Sequence, residues 1–212
     1  MKVLEVREWL GVGPLDPIPS VVRAAERAGV VVLGSALEIE RHDAVSFWSP
    51  DTVRPLICFS RSFPGDHNRL SVAHEAGHLV LHHVRRVDPA QAEAEAFQFA
   101  AALLLPATVA REEIERPLTL RSLAYVKARW GISIAALIRR SWDLGIISDE
   151  KRTSLEKQLS ARGWRKEEPV YVPDEQPVLM ARLIEASFGN SSPNRLHSEL
   201  GLPPLACKDL MA

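Results

Sequence analysis

Apolar residues along this chain fall mostly at helical spacing, and only in three short runs near its start do they gather as strands do. Leu70, Ala73, Gly77, Val80 and Val84 repeat with the helical period and predict a long helix from near Asp66 to about Arg86. Gly77 in its middle costs roughly 1 kcal/mol relative to alanine, which suggests that another element must approach closely there. Asp88-Pro89 offers the next helix start, and Pro106 ends that helix around Leu105 because proline cannot continue the backbone hydrogen bonding. Upstream, Asp16-Pro17 followed by Val21, Val22, Ala25 and Gly29 predicts a short amphipathic helix. Val30 to Leu33, Ala44 to Trp48 and Pro55 to Ser60 read as strands, with Ser49-Pro50-Asp51-Thr52 as a turn.

After Pro106 the pattern is helical, with candidates at Leu118 to Arg129, Ile134 to Leu144 and Ser148 to Ala161, joined by Gly131 and Gly145. From Gly163 the chain turns rich in proline and acidic residues, as a linker or an extended crossing would. Two short helices follow, near Val178 to Phe188 and Pro193 to Leu200. The class is α+β: a small antiparallel sheet packed on the long helix, then a helical C-terminal half.

Composition narrows the function classes. Hydrophobic residues make up 46% of the 212 residues and charged residues 25%, the balance of a globular protein. A formal net charge of -1 gives no overall basic field for nucleic acid or an anionic membrane. The N-terminal residues lack the apolar core of a signal peptide. No segment approaches the roughly 20 apolar residues of a membrane span. Two widely separated cysteines, Cys58 and Cys207, form no metal-type pair and fit a reducing cytoplasm.

Chemistry concentrates at His74-Glu75-Ala76-Gly77-His78, an HExxH pattern. Residues four apart stack on one helical face, so both imidazoles can hold one Zn²⁺ from the same side. Glu75, one residue round, reaches the metal-bound water and acts as its general base. A chance match on an exposed helix is the competing explanation. A purely structural zinc site is disfavoured by the glutamate beside the ligands. The donor set leaves Mn²⁺ and Fe²⁺ open as alternatives to zinc.

A catalytic site needs a third protein ligand. A histidine six residues after His78 is absent, because that position is Val84, and the following helix supplies carboxylates instead. Glu93 shares a helical face with Ala96, Phe97, Ala100, Leu103 and Leu104 and is expected to point into the core, where a carboxylate needs a partner. Glu95, on a more mixed face, is the rival. Glu112, Glu113 and Glu115 read as a solvated face. His82 continues the His74, His78 stripe, so it sits behind a ligand or packs the helix end. His83, Tyr125 and Tyr171 are candidate oxyanion stabilisers, while His42 and His67 read as surface histidines.

These residues, with Phe99-Ala100-Ala101, Leu104-Leu105-Pro106, Asp43 to Trp48, Trp130-Gly131-Ile132-Ser133 and Gly163-Trp164-Arg165, resemble the ImmA/IrrE metallopeptidases over roughly residues 16 to 170. The resemblance implies a gluzincin-like fold with His74, His78 and Glu93 on zinc and Glu75 as general base. It also implies a substrate class, helix-turn-helix repressors or antitoxins of the XRE type. Cutting them would relieve repression of stress-response, mobile-element or toxin genes. Relatives of this subtype often carry such a DNA-binding domain at their own N-terminus. This chain begins too close to the metal motif to hold one, so it is expected to be a protease acting in trans or a fragment. The family usually has asparagine four residues after the glutamate ligand, where this chain has Phe97. Three regions are expected: a zincin-like core over 1–115, a helix-turn-helix-like region over 116–165, and a linker with short helices over 166–212.

The alternative function is a catalytically weak regulatory module. Leu118 to Ile146 has a helix, glycine turn, helix pattern with Arg121, Lys127, Arg129, Arg139 and Arg140, which could bind DNA or a repressor protein. Helical packing under the active site is the favoured reading of that segment.

Overall fold

The computed structural model describes residues 3–35, 42–51, 54–85, 87–114, 117–190 and 192–211. Thr52, Arg86 and Glu115, expected in a turn, at a helix end and on a solvated face, lie outside them. Helices α1 (Val3–Trp9) and α2 (Val21–Arg27) precede strands β1 (Val31–Ser35), β2 (Ala44–Trp48) and β3 (Pro55–Ser60). Then come α3 (Gly65–Leu81), α4 (Pro89–Leu104), α5 (Ala107–Glu113), α6 (Leu120–Trp130), α7 (Ile134–Asp143) and α8 (Asp149–Ala161). Three short helices close the chain: α9 (Leu179–Phe188), α10 (Pro193–Leu200) and α11 (Pro204–Met211). No helix among the described residues is long and apolar enough to cross a membrane.

The α+β class is as expected, but the sheet is mixed rather than antiparallel. Its order is β1-β3-β2: β2 and β3 form the expected antiparallel hairpin, while β1 skips β2 and pairs with β3 in parallel, Val32 opposite Ile57. Strand signals show that segments are extended, not which neighbours they choose. Here Val32, Ile57 and Phe59 are almost wholly buried, so β3 takes the centre.

The long helix is shorter than its apolar pattern suggested. α3 ends at Leu81, with His82 as its C-cap, and Val84 lies beyond it, 82% exposed. Val72, Ala73 and Leu79 are buried in the common core, while Gly77 receives α4. A methyl group on Gly77 would stand 3.1 Å from the Cα of Ala96 and 3.0 Å from the ring of Phe99. α4 starts as read: the Asp88 carboxylate accepts from the Ala90 N–H at 3.0 Å, and Pro89 fills the first helical position. Its buried face is Ala96, Phe99, Ala100, Leu103 and Leu104. Full burial of a leucine contributes about 1.5–3 kcal/mol, enough to fix the rotation of α4 about its axis.

Arginine and lysine near the core donate to specific acceptors, although Nε of Arg69 and of Arg140 is buried without one among the described residues. Helix α1, which no sequence signal marked, carries the fully buried Arg7 to the carbonyls of Gly13, Asp16 and Leu103. Helix α2 starts later than the Asp16-Pro17 signal, because Ser20 is its cap and accepts from the Arg23 N–H at 3.1 Å. Lys127 donates to Asp66 and Glu168 at 2.7 Å each, and Arg140 donates to the Leu105 carbonyl. Arg129 pairs with Glu113 and Arg139 with Asp143. Most of the basic residues of the helix-turn-helix-like segment are therefore engaged within the protein. Its apolar face, including Leu123, Trp130, Ile134 and Leu137, shares one core with the sheet and α3.

The proline- and acid-rich tract after Gly163 is an extended crossing, and its carboxylates act at a distance. Glu168 accepts from the Ile134 and Ala135 N–H groups at the start of α7. Glu175 accepts from Val22 N–H and Ser20 Oγ at the start of α2 and pairs with buried Arg69. In the reverse sense, Glu26 accepts from Val178 and Leu179 N–H where α9 begins. Each carboxylate fills orphan donors and sits at the positive end of a helix. α9 and α11 pack against β1, with a small core of Ile184, Leu196 and Cys207 among the last three helices.

Paired variants test the close helix approach and the buried charges. Gly77→Val should cost about 1–3 kcal/mol through overpacking, read from the urea unfolding midpoint. Gly77→Ala should cost less, since alanine regains roughly 1 kcal/mol of helix propensity. Lys127→Ala should cost about 3–5 kcal/mol, because it strands Asp66 and Glu168 in the interior. Arg139→Ala, at an exposed pair, should fall within about 1 kcal/mol of the parent.

Candidate metal centre

One helical turn separates His74 from His78, and the two rings meet edge to face with centroids 4.7 Å apart. Their Nε2 atoms converge to 3.1 Å. Glu93 reaches over from α4, its Oε2 3.1 Å from His74 Nε2 and its Oε1 3.3 Å from His78 Nε2. One ligand atom from each of the three lies within 4.8 Å of the others. Glu93 does not point into the core as expected: its side chain is 66% exposed. It shares the face of Ala96 and Ala100 but stands at the outer end of α4, where that face has left the core. Burial first, and His74 beside it second, push His78 below the usual imidazole pKa, which favours its neutral, metal-binding form.

Two imidazole nitrogens and a carboxylate suit zinc, and three protein ligands facing a cleft are the donor set of a catalytic rather than a structural site. The cleft holds about 340 Å³ and is lined by His42, Asp43, His67, Leu70, Glu75 and Phe97 besides His74 and Glu93. A larger groove, about 460 Å³, crosses the 171–176 segment, but two of its arginines are engaged, Arg69 by Glu175 and Arg129 by Glu113.

Glu75 is buried, and its Oε2 accepts from Ser46 Oγ at 2.6 Å. Ser46 was not singled out from sequence; a lone hydroxyl in an apolar strand beside the motif helix is the signal that could have found it. Ser60 N–H donates to Asp43 O and Ser49 N–H to Arg54 O, so positions 43, 45, 47 and 49 bond to β3. The backbone groups of Ala44, Ser46 and Trp48 consequently face outward. Among the described residues no strand lies on that side of β2.

The other histidines separate. His82 lies behind His78, its Nδ1 3.1 Å from His78 Nδ1 and its Nε2 3.1 Å from Glu95 Oε2. Glu95, the rival for the metal, is instead held by Gln91, His82 and Arg85, which together lower its pKa, Gln91 most. His83 packs on Trp48 at 5.0 Å between ring centroids. His42 and His67, read as surface residues, both line the cleft, where His67 Nε2 meets Asp43 Oδ2 at 2.8 Å and its ring stacks on Phe63. Tyr125 and Tyr171 are well exposed and neither lines the cleft. Phe97, at the usual asparagine position, lines the cleft, with the Arg139 guanidinium 5.4 Å from its ring centre.

The family model Peptidase M78, described as the IrrE N-terminal-like domain, matches residues 25–141, more than half of the chain. The chain belongs to the ImmA/IrrE metallopeptidase family. The match begins in α2 and ends in α7, so it takes in the sheet, the motif helix, the glutamate helix and most of the helix-turn-helix-like pair. Among curated proteins none matches the sequence. Membership makes this a metallopeptidase domain that acts with a metal, and the His74, His78, Glu93 cluster is where the described residues could hold one.

Protein purified without added metal should contain about one zinc per chain, the stoichiometry of a single catalytic site. Glu93→Ala should lose that zinc while staying folded, because an exposed side chain contributes little to packing. Elemental analysis beside circular dichroism checks both; full occupancy in Glu93→Ala would remove Glu93 from the ligand set.

Proposed function

We propose that this protein is a cytoplasmic zinc endopeptidase that cuts a small helix-turn-helix regulator or antitoxin of the XRE type. The carrying observation is the joint placement of His74, His78 and Glu93 at one side of an open cleft with the Glu75 carboxylate beside them. Zinc held there would supply Lewis-acid chemistry, polarising a peptide carbonyl and acidifying water. Glu75 takes the proton that water gives up and returns it to the leaving amine. Ser46 holds one of its oxygens at 2.6 Å, which leaves the other for the proton. The open side of β2 offers N–H and C=O groups to an extended segment of substrate, so main-chain pairing can bring a peptide to Glu75. Folded domains do not fit that mode. The scissile segment is expected to be flexible or transiently exposed, and cleavage would relieve repression of stress-response, mobile-element or toxin genes.

The DNA- or repressor-binding alternative loses ground to the pairing of Lys127, Arg129, Arg139 and Arg140 within the protein.

Glu75→Gln separates the two readings. The amide nearly matches the carboxylate in shape and still accepts from Ser46, so fold and zinc content should hold. Cleavage of the cognate repressor should slow by about 10²–10⁴-fold, the usual contribution of a general base. Wild-type cleavage by Glu75→Gln would overturn the mechanism. General digestion of unfolded casein, with the repressor untouched, would overturn the substrate assignment.

A further inference from the structure

Behind the metal cluster three side chains form a hydrogen-bonded chain whose proton positions follow from its far end. Glu95 is fixed there by Gln91 Nε2 at 2.7 Å and by Arg85 at 3.2 and 3.3 Å. A carboxylate so held only accepts, so the proton of a neutral His82 lies on Nε2, 3.1 Å from Glu95 Oε2. His82 Nδ1 then carries a lone pair. It stands 3.1 Å from His78 Nδ1, so the proton between the rings belongs to His78. A neutral His78 with its proton on Nδ1 has a bare lone pair on Nε2, the atom that faces His74 and Glu93; because the Glu93 carboxylate also only accepts, that lone pair is satisfied by a cation held among the three.

We propose that Glu95 and His82 are positioning residues that hold His78 as the Nδ1–H tautomer and so present its Nε2 lone pair to the metal. The inference deepens the metallopeptidase reading and rests on it. A metal-binding histidine generally donates its other N–H to a carboxylate, carbonyl or water, which fixes tautomer and ring orientation. Here the acceptor is a second imidazole, and the carboxylate stands one step further back. The arrangement also explains why Glu95 on α4 faces away from the cluster while Glu93, two residues earlier, faces it. Glu95 is engaged by the end of α3 through His82 and by Arg85 beyond it.

The same contacts would tie the end of α3 to α4 even without any metal, and the test must separate that role. Nitrogen-15 spectra of the unmutated, zinc-loaded protein should place the His82 proton on Nε2, leaving its Nδ1 to accept from His78; a proton on His82 Nδ1 overturns the proposal without any variant. Chelator competition should show that His82→Phe weakens zinc binding by about 10–100-fold, the usual effect of losing such a partner. His82→Gln, whose amide oxygen can accept from His78 Nδ1–H, should recover most of that loss. A simple tie between helices would lower the melting temperature of His82→Phe and leave zinc affinity unchanged, and that result also overturns the proposal. If the unmutated chain binds no zinc, the metallopeptidase reading fails instead, and the His82 tautomer, read in the metal-free protein, still decides whether His82 can accept from His78.

Discussion

The missing side chain at Gly77 is the constraint on which the site depends. A β-carbon there would stand only 3.1 Å from the Cα of Ala96, tighter than ordinary contact, so glycine lets α4 lie this close to the motif helix without a shift. From that contact outward, α4 sends Phe99, Leu103 and Leu104 into the core and its first two turns past the histidines. Glu93 and Glu95 then face different partners, one the His74 and His78 pair on α3 and the other the end of that helix. The helix propensity given up at Gly77 is local, whereas the geometry it permits is that of the whole centre.

A second organising feature is the use of carboxylates as long-range caps. Glu26, Glu168 and Glu175 each reach backbone N–H groups far away in sequence, at the starts of α9, α7 and α2. Two of them also neutralise buried cations: Glu168 meets Lys127, and Glu175 meets Arg69. Arg69 and Asp66 stand in the first turns of α3, so the 164–178 crossing is fastened to the helix that carries the histidines. Buried charges of this kind are costly unless fully paired, which is why removing one partner matters more than the pair itself contributes.

The cleft brings these features to one place. β2 is an outer strand of the sheet, it packs on the motif helix, and Ser46 links strand to the Glu75 carboxylate. Asp43 and His67 close one end of the cleft with a hydrogen bond, while Trp48 and His83 pack together beyond the other end of α3. The walls come from elements that share one core, so the side chains lining the cleft sit on rigid supports.

Local rules made much of this legible in advance. The HExxH spacing needs only the 3.6-residue helical repeat, so His74, Glu75 and His78 could be read from their order alone. The hairpin β2–β3, the Asp88-Pro89 start and the glycine turns are likewise set within a few residues. Pairing partners are not local. The parallel β1–β3 contact, the exposure of Glu93 and the placing of His42 and His67 at the cleft depend on segments distant in sequence. Helix α1 was missed because seven residues carry too few turns for a periodic signal, and it is held by Arg7 reaching carbonyls of later segments. The sequence alone thus determined which residue types could make a metalloprotease centre and which helix would carry the motif. The tertiary structure decided which carboxylate faces the histidines and which stands behind them, because that choice lies in how closely two helices approach rather than in either one's pattern.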